Sequence, residues 1–178
     1  MRLTISFLEI EKEKRELIAF LHRHNPGYPG YHDWVDRTSP EFDSGYKGAV
    51  LTHFHNELVA AVVYQPDKLI SNFIEIKSAR VHPEMRGRDV VPFSLKQLEV
   101  KVRDQYVGFV GDVRAENRQT LSYTSQWGFV PIMSIPLYGD GKNDVKVVKL
   151  FGRNGRKILT SPLKNRIIKV SLDQSIRN

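Results

Sequence analysis

The segment from residue 74 to residue 129 constrains the fold most, because strand and helix patterns alternate along it. A run rich in β-branched and aromatic residues, Phe73–Val81, predicts a strand that ends at His82-Pro83. A short Arg-Gly-Arg turn follows. A helix is predicted to begin at or near Pro92, since proline is pre-organised for the first turn of a helix. A second strand (residues 106–113) and a second helix (residues 118–127) complete a β-α-β-α pattern.

The turn between the first strand and the first helix of this segment is a predicted anion site. Arg86, Gly87 and Arg88 precede the helix, whose first backbone N–H groups have no intrahelical acceptor. These N–H groups and the helix dipole favour a negative charge, and the two arginines add to the attraction. The pattern therefore points to a ligand that carries phosphate.

Composition excludes several classes of protein. The 178 residues include no cysteine, which excludes disulfides, thiolate catalysis and cysteine-ligated zinc sites. No apolar run is long enough to span a membrane, and the acidic N-terminus does not resemble a signal peptide. The sequence contains neither a Walker-type loop nor a Gly-x-Ser-x-Gly elbow. We therefore expect a cytoplasmic protein that makes no membrane contact.

Most of the net charge of +7 lies at the C-terminus, where residues 151–178 carry seven basic residues against one acidic residue. Such an extension can make a weak, nonspecific contact with nucleic acid. The alternative is a solvated appendage or an extra strand pair, since residues 166–172 have the composition of a strand. The composition changes after Phe151, so we predict a folded domain at residues 1–151 and a basic extension at residues 152–178.

The run Val81-His82-Pro83-Glu84-Met85-Arg86-Gly87-Arg88 resembles the acyl-CoA-binding motif of the GNAT superfamily of N-acetyltransferases. Downstream, Asn117 stands eleven residues before Gly128-Phe129, which is similar to the second helix and closing Gly-Phe of that family. The resemblance and the order of elements imply one α/β (α+β) domain with a mixed, mostly antiparallel sheet and helices on both faces. They also imply acetyl-CoA as the acyl donor.

The resemblance assigns the cofactor-binding residues as Val81, Arg86, Gly87, Arg88, Asp89, Val90, Val91 and Asn117. The family has Gly at the position of Asp89, and Gly or Ala at that of Val91. Because Asp tolerates a left-handed backbone, the shape of the turn is expected to persist. The carboxylate would oppose a diphosphate by roughly 1 to 4 kcal/mol at 4 Å.

The resemblance also suggests catalytic residues. A backbone N–H near Val81 would hold the thioester carbonyl, and Glu75 is the candidate general base, acting through water. The alternative for Glu75 is a carboxylate on the exposed face of the sheet. The family often has a Tyr where this chain has Thr124. Tyr123 is one residue earlier, about 100° away around the helix, so Tyr138 or water are alternative proton donors.

Residues 25–46 are predicted to be a loop, because glycines and prolines are frequent there. The loop is rich in aromatic residues, namely Tyr28, Tyr31, Trp34, Phe42 and Tyr46. In the family this segment borders the acceptor site, so the loop is a candidate lid. The alternative is that the aromatic side chains pack the loop onto the sheet.

The leading hypothesis is transfer of an acetyl or other acyl group from CoA to an amine on a small molecule, a peptide or a charged tRNA. The enzyme would be a monomer or a homodimer. One alternative is a GNAT-like binding module that acts through its basic extension or its aromatic loop. Another is an RNA-directed acyltransferase that uses the extension. His53 and His55 share a strand face without a third ligand nearby, so no metal site is expected.

Overall fold

The computed structural model describes residues 3–9, 11–137 and 140–152. The strands in these ranges are β1 (Leu3–Phe7), β2 (Gly48–Phe54), β3 (Glu57–Pro66), β4 (Phe73–Val81), β5 (Gly108–Arg114), β6 (Val130–Ile135) and β7 (Asp144–Leu150). The α-helices are α1 (Glu11–Arg23), α2 (Tyr31–Asp43), α3 (Val90–Val102) and α4 (Arg118–Gln126), and a 3₁₀ turn covers Pro83–Met85. No helix in these ranges is long and apolar enough to cross a membrane.

The seven strands form one sheet in the order β1-β2-β3-β4-β5-β7-β6. The pairs β1–β2, β2–β3, β5–β7 and β6–β7 are antiparallel. Strands β4 and β5 are parallel, with a register that runs from the Phe73–Gly108 pair to the Ile76–Gly111 pair. The predicted mixed, mostly antiparallel sheet is therefore confirmed.

The chain divides into two compact units. The N-terminal unit contains the residues up to Gln65 together with Lys77–Lys101, and so holds β1 to β3, the second half of β4, and helices α1, α2 and α3. Of the described residues, the C-terminal unit contains Pro66–Ile76 and those between positions 102 and 152. It holds the first half of β4, strands β5 to β7, and α4.

The N-terminal unit carries helices on both faces of its strands. Leu17 and Leu21 of α1 pack with Val35 of α2 against Leu51 of β2, and all four are completely buried. On the opposite face, Thr52 is hydrogen-bonded to Ser94 of α3, with 2.8 Å between the two hydroxyl oxygens. Successive residues of a strand point to opposite faces, so α3 lies across the sheet from α1 and α2.

The prediction of a loop at residues 25–46 is wrong for most of that segment, because Tyr31–Asp43 form α2. Tyr31, Val35, Thr38 and Phe42 recur at helical spacing, and all four are buried. Burial of this stripe outweighs the local cost of Pro40, which lies inside the helix. Tyr31 and Phe42 belong to the core cluster, and Trp34 packs against it. The observed contacts are those of the packing alternative.

The C-terminal unit is built around Phe73, Val110 and Val148, one residue from each of three neighbouring strands. Strands β5 and β7 lie so close at Gly108 that there is no room for a side chain at this position. A Cβ atom added there would lie 2.5 Å from the Lys149 carbonyl oxygen and 2.9 Å from the Phe73 ring. Any larger residue must therefore displace the neighbouring backbone.

Candidate active site

The turn that follows β4 is fixed to the N-terminal unit at both of its ends. The backbone N–H of His82 donates to the Val59 carbonyl at 2.7 Å, and the His82 ring accepts from the Glu84 N–H at 3.4 Å. Met85 and Val90 are buried together against β3. The residues between these anchors, Arg86 to Asp89, are exposed. A rigid frame therefore presents a short basic loop to solvent.

Two residues with positive φ bring the chain from this turn into α3. Gly87 has a φ of 73° and Asp89 a φ of 54°, so Asp89 adopts the left-handed conformation that the sequence allows. The Asp89 carbonyl accepts from the Phe93 N–H at 3.1 Å. The helix begins at Val90, two residues before the predicted start, and Pro92 lies in its first turn, where a proline removes no intrahelical hydrogen bond.

The bulk of Val90 and Val91 does not face the basic loop. Their side chains are buried, with residue exposures of 2% and 7%. Their backbone N–H groups belong to the first turn of α3, where no intrahelical acceptor exists. The N-terminus of α3 can therefore receive an anion beside Arg86 and Arg88, although glycine is absent from both family positions.

His24, which the sequence did not single out, also lies beside this turn. Its ring packs against the Phe20 ring, with 4.4 Å between the centroids. It forms a T-shaped contact with the His82 ring, with 5.3 Å between the centroids. Burial lowers the pKa of His24, and electrostatic interactions with His82, Arg23 and Arg86 lower it further. The contact joins residues far apart in the sequence, so no local pattern could have revealed it.

In the C-terminal unit, Asn117 caps α4. Its side-chain oxygen accepts from the Thr120 N–H at 3.0 Å. Tyr123 is 37% exposed and stacks on Trp127, with 6.0 Å between ring centroids. The Tyr123 hydroxyl accepts from the Gln119 side chain at 3.4 Å. Thr124 is buried and donates to the Leu121 carbonyl, so Tyr123 and Thr124 face different directions, as helical geometry requires.

Glu75 lies on β4 within the C-terminal unit, in register with Val110, and is half-buried. Its charge acts on Asp67, whose pKa is raised first by burial and then by Glu75. Tyr138, the second candidate proton donor, lies outside the described residues.

The sequence also did not predict the buried ion pairs between β5 and β7. Lys146 is paired with Asp112 at 2.9 Å, and both side chains are largely buried. Arg114 contacts Asp140 at 3.0 Å and Asp144 at 3.4 Å. Asp112 and Arg114 stand in register with Lys146 and Asp144, so the pairs join the two strands. They fix the end of β5 just before the Asn117 cap.

The predicted site residues therefore fall into two sets, one in each compact unit. Val81, Arg86, Gly87, Arg88, Asp89, Val90 and Val91 form one continuous strand-turn-helix in the N-terminal unit. Glu75, Asn117 and Tyr123 belong to the C-terminal unit. Within the described ranges, no group of three His, Cys, Asp or Glu residues is placed to hold a metal ion.

Neither protein-family models nor curated proteins match this sequence. Solved structures do match the fold. A GNAT-family acetyltransferase from Streptococcus pneumoniae is 15% identical, with a TM-score of 0.65 over 85% of this chain and 100% of the other. The ribosomal-protein-S18-alanine N-acetyltransferase from Escherichia coli is also 15% identical, with a TM-score of 0.65 over 86% and 98%.

An aminoglycoside 6'-N-acetyltransferase complexed with coenzyme A is 15% identical, with a TM-score of 0.64 over 84% of this chain and 98% of the other. At such identities the similarity establishes the fold alone. The matches nevertheless cover almost the whole of each solved chain. The chain therefore has the GNAT fold.

Proposed function

We propose that this protein is an N-acyltransferase that transfers an acetyl or other acyl group from acyl-CoA to an amine. One observation carries the proposal: the left-handed, basic turn from Arg86 to Asp89 leads directly into the N-terminus of α3. A turn of this kind suits a diphosphate, and it occurs here on a fold shared with acetyltransferases.

The residues of the turn fit the anionic part of CoA. Arg86 and Arg88 are exposed and would bind the diphosphate with their guanidinium groups. The N–H groups of Val90 and Val91 would add backbone hydrogen bonds, because their side chains point into the core. When bound, CoA supplies the thioester whose acyl group is transferred.

The transfer forms a C–N bond and breaks a C–S bond, so three tasks fall to the protein. A backbone N–H near Val81 would stabilise the negative charge that develops on the thioester carbonyl oxygen. Glu75 would accept the proton of the attacking amine through water. Tyr123 is a candidate proton donor to the thiolate, because its hydroxyl accepts from Gln119 and keeps its own hydrogen for donation. Tyr138 and water are the other candidates.

The acceptor belongs to the amines. Two similar structures are named for amine-bearing acceptors, an alanine of ribosomal protein S18 and aminoglycosides. These names support a peptide or a small molecule as the acceptor class. A charged tRNA is a further candidate that depends on the basic extension, of which residues 153–178 lie outside the described ranges.

Transfer is tested by incubating the protein with deuterium-labelled acetyl-CoA and three acceptor sets: aminoglycosides and polyamines, short peptides, and a charged tRNA pool. Mass spectrometry then detects labelled amides. We expect labelled product with the wild type and none with the Arg86→Ala/Arg88→Ala variant. An Arg15→Ala/Arg103→Ala variant, which removes the same charge from exposed sites outside the turn, should behave as the wild type. Equal labelling by all three proteins would refute the role of the turn.

A further inference from the structure

Two histidines join the end of α1 to the start of α2. The Nδ1 atoms of His22 and His32 are 2.7 Å apart, and the two rings are 10° from parallel with 5.1 Å between their centroids. The Nε2 of His22 lies 2.9 Å from a carboxylate oxygen of Asp36. The Nε2 of His32 lies 2.8 Å from the side-chain nitrogen of Asn25. The four side chains therefore form one continuous chain of three hydrogen bonds within the N-terminal unit.

The groups at the two ends of this chain fix the position of every proton in it. An ionised carboxylate only accepts hydrogen bonds, so His22 donates to Asp36 through Nε2. At the other end, the Asn25 side-chain oxygen accepts from the Gly27 N–H at 2.7 Å, so the side-chain nitrogen faces His32 and donates to its Nε2. The contact between the rings then needs one hydrogen, which the Nδ1 of His32 donates to the Nδ1 of His22. Both rings are therefore neutral when all three bonds are made.

Added protons break this chain in two steps. If the bond between the rings is kept, the first added proton leaves a hydrogen on the Nε2 of His32, whichever ring carries the charge. This hydrogen opposes the donating side-chain nitrogen of Asn25. A second proton places a hydrogen on both Nδ1 atoms, so two donors face each other across a distance of 2.7 Å. The contact between the rings is then lost, and two like charges are neighbours.

The charged groups around the two rings balance one another. Asp36 faces His22 from α2, whereas Ile18 and Ala19, one turn before His22 on α1, are uncharged. Tyr31 borders His32 with 6.4 Å between ring centroids, and the β4 residue Arg80 contacts Tyr31. The other charged residues next to the histidines in the sequence or near them on α2 are exposed, namely Arg23, Asp33 and Arg37. Solvent protons reach this surface, and the two arginines offset the two aspartates.

The opposite end of the helix pair does not respond in the same pH range. There Lys14 of α1 contacts Asp43 of α2 at 2.7 Å. Hydrogen bonds to Asp43 and then Glu11 raise the pKa of Lys14, so the lysine stays charged throughout the range in which histidines titrate. Between the two ends, the buried side chains of Leu17, Leu21 and Val35 hold the helices together. Only the end with the histidines is therefore sensitive to mild acid.

We propose that α1 and α2 are joined by a pH-sensitive latch made of His22, His32, Asp36 and Asn25. The latch is closed when both rings are neutral and open when both are protonated. Because the closed state holds fewer protons than the open state, closure is favoured above the range in which histidines titrate and is lost as the pH falls through it. Opening frees residues 25–30 and the first turn of α2, while the core between the helices stays packed.

The proton positions are tested in the wild type by ¹⁵N-resolved NMR of the imidazole rings at pH 8. We expect His22 to carry its hydrogen on Nε2 and His32 to carry its hydrogen on Nδ1, the tautomer that free histidine populates less. His32 in the Nε2–H form, or a mixture of tautomers like that expected for the exposed His55, would overturn the proposal. Neither an acyl donor nor an acceptor is needed, so the result is independent of the function proposed above.

The strength of the latch is measured with a double-mutant cycle of His22→Ala and His32→Ala, by urea unfolding at pH 8 and pH 5. At pH 8 the two substitutions should be coupled by about three- to tenfold in the unfolding equilibrium constant, as expected for one hydrogen bond. At pH 5 this coupling should disappear. Coupling of equal size at both pH values would indicate a packing contact and refute the latch. A cycle of His22→Ala with His55→Asn is the control and should show no coupling, since asparagine suits the φ of 51° at His55.

Asn25→Asp should reverse the direction of the pH dependence. A carboxylate at this position still accepts from the Gly27 N–H, and it also accepts from the Nε2 of His32. Both Nδ1 atoms then lack a hydrogen when the rings are neutral, so the contact between them needs one added proton. The coupling of His22→Ala and His32→Ala in this background should be weak at pH 8 and stronger near pH 6. The same rise toward pH 8 as in the wild type would overturn the proposed order of protons.

Discussion

Replacement of Asp89 should strengthen donor binding, and two substitutions separate its charge from its backbone. Asp89 is exposed, so the high-dielectric limit applies. One unit charge 4 Å from a phosphate charge then costs about 1 kcal/mol, or about fivefold in affinity. Asp89→Asn removes this charge, and asparagine tolerates both the φ of 54° and the position before a helix. We therefore expect acetyl-CoA to bind Asp89→Asn about fivefold more tightly, with little change in unfolding free energy.

Asp89→Gly should give the same gain in affinity, because it removes the same charge. Asp89 already has the left-handed conformation in the free protein, so glycine adds no further advantage for the backbone. Asp89→Ala should lose about 1 kcal/mol of stability, since alanine resists a left-handed backbone. Calorimetric titration and urea unfolding measure the two effects separately. Asp104→Asn, which removes an exposed charge elsewhere, is the control. Unchanged or weaker binding by Asp89→Asn would show that the carboxylate does not oppose the donor.

Three further predictions concern the C-terminal unit. Arg114→Ala leaves the buried carboxylate of Asp144 without its ion-pair partner, so urea unfolding should show a loss of about 3 to 5 kcal/mol; a loss below 1 kcal/mol would contradict the buried pairing. The pKa of Asp67 is raised by burial and by Glu75, so the folded state holds more protons than the unfolded state and stability falls as pH rises from about 4. The unfolding free energy of Asp67→Asn should therefore rise relative to that of the wild type as the pH increases from 4 to 7. A difference between the two proteins that does not change with pH would contradict the raised pKa. Gly108→Ala should lower the melting temperature, since its Cβ would lie 2.5 Å from the Lys149 carbonyl oxygen, and an unchanged melting temperature would refute this close approach.

The strands could be predicted from sequence because their signals are local. The bounds of β4 agree with the prediction, and the strand predicted at residues 106–113 occurs as β5, which begins two residues later. Helix α2 could not be predicted in the same way, because its glycine and proline signals oppose its buried stripe. Only the packing of Tyr31, Val35 and Phe42 in the core decides between them.

The candidate site also combines features that could be predicted from the sequence with features that could not. The basic turn and the left-handed backbone at Asp89 follow from residues adjacent in the sequence, so they could be predicted. The contact of His24 with His82 and the pairing of Arg114 with two carboxylates depend on distant elements. Local periodicity contains no information about such contacts, and for this reason they emerged only from the folded chain.

Titration of acetyl-CoA into the purified protein tests the proposed donor site without knowledge of the acceptor. We predict saturable binding of one donor per chain, with a dissociation constant on the order of micromolar. The Arg86→Ala/Arg88→Ala variant should lose this binding, and the Arg15→Ala/Arg103→Ala control should retain it. Absence of binding at millimolar acetyl-CoA, or equal binding by the turn variant, would contradict the assignment of this strand-turn-helix as an acyl-CoA site.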